Sequence, residues 1–305
     1  MYKITLTIPT FNRAGELPAL LESVARQTLD PALWECILID NHSTDNTAEV
    51  VEAFCQAHPQ LHIRRVVEPM AGVSYARNRG LREATTDLVC SVDDDERINP
   101  HFLAAYLDFF TSHPEAVVAG GKIIAEYPDG RPRWMSRWTE RPIANPIDLG
   151  EKIRPFPRGM LPGGGNMGYR LSVARQFGFL TELGRTGDKP LGGEENDFFL
   201  RLQEAGHTLW YLPGAVIRHI IPHEKLTDER FRALAYHIGI SQAIRARMRG
   251  EYLGLRLQEG LKWVATLLLG FTMHPRKWQK VVVMRREISR GIAQKGVKQP
   301  LKGSK

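Results

Sequence analysis

Four absences narrow what this chain can be. Only three cysteines, Cys36, Cys55 and Cys90, occur in 305 residues. The number is odd, and Cys36 and Cys90 sit in apolar runs, which favours buried free thiols over a disulfide framework or a metal site. No stretch approaches the ~18 consecutive apolar residues that mark a membrane-spanning helix. No charged leader with an apolar core precedes the strand-like Met1 to Pro9, so no signal peptide is expected and the chain is expected in the cytoplasm. Neither G-x-G-x-x-G nor G-x-x-x-x-G-K-[ST] follows that first strand, which sets aside a dinucleotide-binding turn and a P-loop.

What is present has an uneven charge. With 43% hydrophobic and 25% charged residues, the composition suits one large globular domain with an appendage. From Arg245 to Lys305 there are fifteen Lys or Arg against Glu251, Glu259 and Glu287, a balance of +12 that leaves −5 for the first 244 residues of a chain whose net charge is +7. A basic tail calls for an anionic partner: a phospholipid surface, a lipid diphosphate or nucleic acid.

The stretch that organises the chain is Leu88-Val89-Cys90-Ser91-Val92-Asp93-Asp94-Asp95-Glu96. Its apolar half is short and bounded by Thr85, Thr86 and Asp87, so it reads as a buried strand of a parallel sheet. Its acidic half falls at the carboxyl end of that strand, where ligands of open α/β sheets sit. Adjacent carboxylates repel, so the cluster needs a counter-ion or wide exposure to water. Oxygen ligands in a crevice suit Mg²⁺ or Mn²⁺. A solvated acidic turn before a helix near Pro100, with Asn99 as its cap, is the plainer alternative.

Around it the pattern is β-α-β-α-β-α-β, a doubly wound parallel sheet. Strands are expected at 3–8, stopped by Pro9, at 34–39, 61–67 and 88–92. Helices are expected at 14–27, from Ser43 or Thr44 to Ala57, and at 72–83. Pro9, Thr10, Phe11, Asn12 and Arg13, then Asp40 with Asn41, then the turn before Arg77, and Asp93 to Asp95 all converge on one carboxyl edge. There Asp40 could accept hydrogen bonds from a base, and Arg13 or Arg77 could neutralise phosphate. Turn chemistry for Asp40 and Asn41, and a solvated helix face for Arg77, are the structural alternatives.

A helix at 100–112 and one or two strands over 117–127 follow. Pro128 to Pro162 is rich in proline and arginine with Trp134, Trp138 and Phe156, reading as a long irregular insertion that contacts a sugar or an anionic acceptor, or as a disordered linker. Gly163, Gly164 and Gly165, leading to Asn166 and Met167, permit close approach of a ligand to backbone. Gly192-Gly193-Glu194-Glu195-Asn196-Asp197 opens a helix, and its carboxylates serve the helix dipole or a general base. Tyr211, Leu212 and Pro213 and then Val216 to His219 suggest a last strand leading to His219 and His223, with His219 within reach of a metal held by Asp95.

Assembled, these motifs resemble the inverting GT-A glycosyltransferases of family 2 over residues 3–225. The resemblance rests on Ile8 to Arg13, Ile39-Asp40-Asn41 with Ser43, Thr44 and Asp45, Gly72 with Ala76-Arg77-Asn78, Asp93-Asp94-Asp95, Gly164 to Met167, and Gly193 to Asp197. It implies a GT-A, Rossmann-like, mostly parallel sheet flanked by helices, with a nucleotide-binding half over 1–97 and an acceptor half over 98–225. It also implies that Pro9, Thr10, Phe11, Arg13, Asp40, Asn41, Gly72, Arg77, Asp93, Asp94, Gly165 and Asn166 hold a nucleotide diphosphate sugar, with a UDP-sugar favoured. Asp93, Asp95 and His219 would take Mn²⁺ or Mg²⁺, and Glu195 would be the catalytic base. Glu195 stands where aspartate is common, which leaves Glu194 as a second candidate, and Asn41 replaces a usual aspartate. The implied acceptor is a hydroxyl of a glycan or lipid-linked molecule in polysaccharide biosynthesis.

From Thr227 the chain reads as a basic helical extension, with helices at 227–248, 252–270 and 275–293 and a disordered end from Lys295 to Lys305. Leu253, Leu257, Leu261, Val264, Leu267, Leu268 and Phe271 beside Lys262, Arg276, Lys277 and Lys280 fit an interfacial helix at the inner face of the plasma membrane; packing on the catalytic domain or on a second subunit is the alternative. A sugar nucleotidyltransferase would usually carry a glycine-rich first loop. A non-catalytic anion-binding α/β protein leaves the acidic crevice unexplained, and nucleic acid would be repelled by it.

Overall fold

Residues 3–186 and 191–294 are described by a computed structural model; the tail expected to be disordered, 295–305, lies outside the described residues. In chain order the elements are β1 (Ile4–Thr10), α1 (Leu17–Ala25), β2 (Trp34–Asp40), α2 (Thr47–Ala57), β3 (Ile63–Val67), α3 (Val73–Glu83), β4 (Leu88–Ser91), β5 (Glu96–Ile98), α4 (Phe102–Ser112) and β6 (Val118–Glu126). Then come α5 (Arg137–Ala144), β7 (Arg154–Pro155), β8 (Met167–Arg170), α6 (Leu171–Phe177), α7 (Glu194–Glu204), β9 (Leu209–Ile220), α8 (Asp228–Met248), α9 (Tyr252–Leu269) and α10 (Pro275–Ala293). Among these, one unit comprises the residues up to Glu126, Pro146–Thr181 and Glu194–Ile220; the other comprises Tyr127–Asn145, the segment ending at Gly193 and the chain from Ile221 on.

The first unit is built on one sheet in the order β3-β2-β1-β4-β8-β6-β9-β5, with β7 paired to β9. The first four strands run parallel, with Ile4 beside Trp34 and Leu88. Beyond β4 the sheet turns mixed: β8 is antiparallel to both β4 and β6, and β5 is antiparallel to β9. Every residue of β1, β2 and β4 is buried, as the near-continuous apolar runs of a doubly covered sheet require. The α1 stripe Leu17, Leu20, Leu21 and Val24 closes one face. Pro9 does not stop β1. Pairing to β4 ends at Thr7, so the missing N–H of Pro9 faces no acceptor there and pairing to β2 runs on to Thr10.

The last strand, Leu209–Ile220, is continuous where its apolar pattern is interrupted. It runs through Pro213 and Gly214 because a bulge opposite Gly121 and Lys122 absorbs them. A Cβ on Gly121 would lie 1.9 Å from the Ala215 carbonyl oxygen, so only glycine fits.

The second unit is helical. Phe231 and Ala235 of α8 pack with Val281, Met284, Ile288 and Ile292 of α10. The two helices cross at Gly239 and Gly291, where an added Cβ would come within 2.1 Å of a carbonyl oxygen of the facing helix. The stretch read as an irregular insertion or a linker is ordered here. Ser136 and Thr139 form a capping box at the start of α5, and Arg131 grips Glu140 through two bonds of 2.9 and 2.7 Å. Trp134 packs against Phe231; Trp138 is exposed, beneath the Arg137 guanidinium.

Candidate active site

The parallel half of the sheet delivers three loops to one edge. Asn12 and His42 take left-handed φ values of 52° and 65°, a conformation that Asn and His adopt more readily than most residues. Asn12 then clasps the loop after β2: its N–H donates to Ser43 Oγ at 2.9 Å and its Oδ1 accepts from the Thr44 N–H at 2.7 Å. Pro9 is buried, while Phe11 is left 46% exposed at the rim.

Asp40 and Asn41 have protein partners. Asp40, 3% exposed, accepts from the Ser43 N–H and from Arg65 Nη1, both at 2.9 Å. Asn41 donates to the carbonyls of Glu68 and Met70 and accepts from the Gly72 N–H at 2.7 Å. Gly72, at φ 139°, lets the chain turn into α3. The Asp40 and Asn41 side chains are thus held in place by protein partners at this edge.

The acidic cluster is sorted side chain by side chain. Asp94 accepts from Thr10 Oγ1 at 2.9 Å and lies 3.5 Å from Arg13 Nε. Burial and the neighbouring Asp95 push its carboxyl up to about 7, against the pull of Arg13 and Thr10. Asp93 pairs with Arg77 Nη2 at 2.8 Å. Asp95 Oδ2 lies 3.6 Å from His219 Nε2, because β5 pairs Glu96 with His219. Glu96, the fourth acid, is only 3% exposed and accepts the Asp93 N–H at 3.1 Å. Burial, then the charges of Asp93 and Asp95, raise its carboxyl well above the ordinary range. It presses on Gly165, where a Cβ would sit 2.0 Å from Oε1.

Arg77 is the hub of this edge. Its side chain is 4% exposed. Besides Asp93 it donates from Nε to Glu194 at 3.3 Å and from Nη1 to Ser91 Oγ and the Gly164 carbonyl, both at 3.2 Å. The guanidinium read as a phosphate ligand thus spends its donors inside the protein. Glu194 is 4% exposed; burial first, then the neighbouring Glu195, push its carboxyl up to about 8 despite Arg77. Glu195 is half-buried and accepts from Asn196 Nδ2 at 2.9 Å. An added Cβ on Gly164 would lie 2.9 Å from Glu195 Cγ, so the glycine run lets the backbone pass against this carboxylate. Ahead of α7, the Gly192 N–H donates to Ser241 Oγ and the Gly193 carbonyl accepts from Arg245, each at 3.1 Å.

Asn166 does not line the crevice. It is fully buried; its amide donates to the carbonyls of Lys122 and Ala215 at 3.0 and 2.9 Å, and its oxygen accepts from Tyr106 at 2.7 Å. Those carbonyls border the bulge in β9, so Asn166 pairs groups that the bulge would otherwise orphan.

Among the described residues no group of three or more His, Cys, Asp or Glu side chains is disposed to hold a metal ion. Asp95 and His219 supply one carboxylate and one imidazole; the carboxylate suits Mn²⁺ or Mg²⁺ sharing its sphere with phosphate oxygens and water, and the imidazole favours the softer Mn²⁺.

Four partners escaped the sequence reading: Glu96, Ser91, Arg65 and the Thr10 hydroxyl in its bond to Asp94. Arg77 itself carried a signal of its inward role. The buried residues of α3 are Ser74, Ala76, Arg77, Gly80 and Leu81, so Arg77 belongs to the helical stripe that faces the sheet.

A mixed α/β sheet with acids and glycines gathered at the carboxyl edge of its parallel half has the GT-A architecture. Residues 5–178, more than half of the chain, match the family model of glycosyl transferase family 2, and the chain belongs to that family. A glucosyl-dolichyl phosphate glucuronosyltransferase of Haloferax volcanii is 24% identical over 229 residues, 71% of this chain and 69% of that protein. The succinoglycan biosynthesis protein ExoM of Rhizobium meliloti is 28% identical over 243 residues, 77% and 74% of the two chains. Among solved structures, the mannosyltransferase PcManGT from Pyrobaculum calidifontis, in complex with GDP-Man and Mn²⁺, superposes with a TM-score of 0.60 at 16% identity, covering 95% of this chain and 88% of that one. S. aureus TarS 1-349 in complex with UDP gives 0.55 at 19% identity, covering 95% and 89%. At these identities the likeness to solved structures is one of fold.

Proposed function

We propose that the chain is a metal-dependent inverting glycosyltransferase that moves a sugar from a nucleotide diphosphate donor, UDP-sugar foremost, to a hydroxyl of a glycan or lipid-linked acceptor in polysaccharide biosynthesis. The observation that carries the reading is Arg77, one buried guanidinium that binds both Asp93 of the acidic turn and Glu194 beside the candidate base. That link ties the donor's phosphate end to the acceptor's hydroxyl end. Neighbours solved with UDP and with GDP-Man and Mn²⁺ support the donor class and the metal.

In this reading Glu195 takes the proton from the acceptor hydroxyl as its oxygen attacks the anomeric carbon from the face opposite the leaving diphosphate, and the configuration inverts. Glu194, buried and 3.3 Å from Arg77 Nε, anchors that guanidinium. Asp95 and His219 would hold the divalent ion, which when bound neutralises charge on the leaving diphosphate. The acidic turn, fixed by Arg77, Thr10 and Glu96, keeps Asp95 at the rim. Glu195→Gln should leave donor binding intact and lower transfer by about 10²–10⁴-fold, the usual worth of a general base. Full turnover in that variant, with loss in Glu194→Gln, would move the base to Glu194.

A further inference from the structure

Helix α9 is built inside out. Its fully buried residues are Glu259 and Thr266; past Tyr252 and Leu255, which pack on the apolar cluster of α8 and α10, its contacts with α10 are polar. Glu259 accepts from Arg285 at 2.7 Å and from Ser289 at 2.9 Å, and Trp263 donates to Ser289 at 2.8 Å. Most of its large apolar side chains face outward instead. Leu253, Leu257, Leu261, Val264, Leu267, Leu268 and Phe271, the last just past its end, are 57–87% exposed. At 100° per residue these seven fall within an arc of about 120° on a helix of about 27 Å. A stripe of this size on a water-facing surface marks an interaction site.

We infer that this stripe is a docking surface for an anionic phospholipid bilayer, with α9 lying in the plane of the interface and its leucines among the acyl chains. Charge selects the occupant. Arg256 and Lys262 of α9 and Arg276, Arg286 and Arg290 of α10 are all exposed. Of the three glutamates from Arg245 on, Glu259 and Glu287 are buried against arginines, leaving Glu251 as the exposed acid. A second copy would bring this cationic face against its own like, which repels; an anionic headgroup layer complements it. Beside the stripe, a cavity of about 460 Å³ lined by Arg256, Trp263, Arg286 and Arg290 can take a headgroup phosphate. No helix among the described residues is long and apolar enough to cross a membrane.

The inference rests on the proposed function only in setting the acceptor at a membrane. The test is co-sedimentation of the full chain with vesicles of phosphatidylcholine alone and of phosphatidylcholine with phosphatidylglycerol, for the wild type and for Leu261→Glu/Leu268→Glu. The wild type should bind the anionic vesicles, and the double variant should lose at least about tenfold in partitioning, since charge replaces inserted apolar surface. Equal binding by the variant would overturn the inference by leaving the basic residues as the whole cause. So would a wild type that ignores anionic vesicles, and a dimer that the variant dissolves would assign the stripe to a second copy. Nucleotide-sugar hydrolysis without vesicles should be the same in both proteins. Its absence from both, with vesicle binding intact, would count against the enzymatic reading and leave the docking surface standing.

Discussion

Replacing Arg77 with methionine keeps most of the packing volume and removes only the charged fork. At about pH 6, Glu194 carries its proton, its carboxyl having been pushed up to about 8, so the variant does not bury a naked charge there. What it loses is the donor to Ser91 Oγ and to the Gly164 carbonyl, at about 1–3 kcal/mol for each buried acceptor left bare. The Asp93 pair is also lost. Its carboxylate is 39% exposed, so screening holds that contribution to about 1 kcal/mol or less. The expected cost is about 3 kcal/mol. Raising the pH enlarges it. Because the folded Glu194 binds its proton more tightly than an ordinary carboxyl, with a reference value of 4.5, wild-type stability falls as pH rises from there to about 8 and then levels off. Without Arg77 the carboxyl moves higher still, and the fall continues beyond pH 8 by up to about 1.4 kcal/mol per unit. Urea unfolding of wild type, Arg77→Met and Arg77→Met/Glu194→Gln at about pH 6 and about pH 9 measures both parts. A cost under about 1 kcal/mol, or one equal at the two pH values, would refute Arg77 as the guanidinium that compensates Glu194. The double variant should remove the pH dependence and leave the rest.

Asp95→Asn should abolish the metal-dependent part of UDP binding in calorimetry while the unfolding midpoint holds; unchanged Mn²⁺ dependence would take Asp95 out of the metal site. Asn166→Leu, close to isosteric, leaves the Lys122 and Ala215 carbonyls unpaired and should cost about 3 kcal/mol or more in urea unfolding. A near-neutral result would mean that the bulge relaxes to pair those groups another way. Gly165→Ala puts a methyl group 2.0 Å from the Glu96 carboxyl oxygen, so the buried glutamate must move and release the Asp93 N–H. Transfer should fall with it, and Glu96→Ala added to Gly165→Ala should restore the fold by vacating that space.

The sequence disclosed elements whose signal is local and hid those whose reason is remote. Leu17, Leu20, Leu21 and Val24 declare their helix by spacing alone, and Leu88 to Ser91 declares a strand by composition, because each buries its face on a neighbour of the expected kind. The strand Met167–Arg170 holds a single large aliphatic residue and a glycine, so nothing local fixed its direction; it is antiparallel because it enters between β4 and β6. The site divided the same way. The acidic turn was legible as a cluster, but the separate duties of its members were not. Glu96 is buried because β5 pairs with a strand more than a hundred residues on, and Asn166 turns inward because a bulge in that same strand leaves carbonyls to be paired.

Arg77 gives the physical reason for the gap. On a helix, an arginine read alone belongs in water, and burying it uncompensated would cost several kcal/mol. It sits inside because acidic side chains from two separate stretches, Asp93 and Glu194, accept its donors there. The buried charge therefore makes sense only once the strand and the late helix have come together. That same requirement couples the acidic turn at Asp93 to the helix that opens at Glu194, so a substitution on one side of Arg77 should be felt on the other.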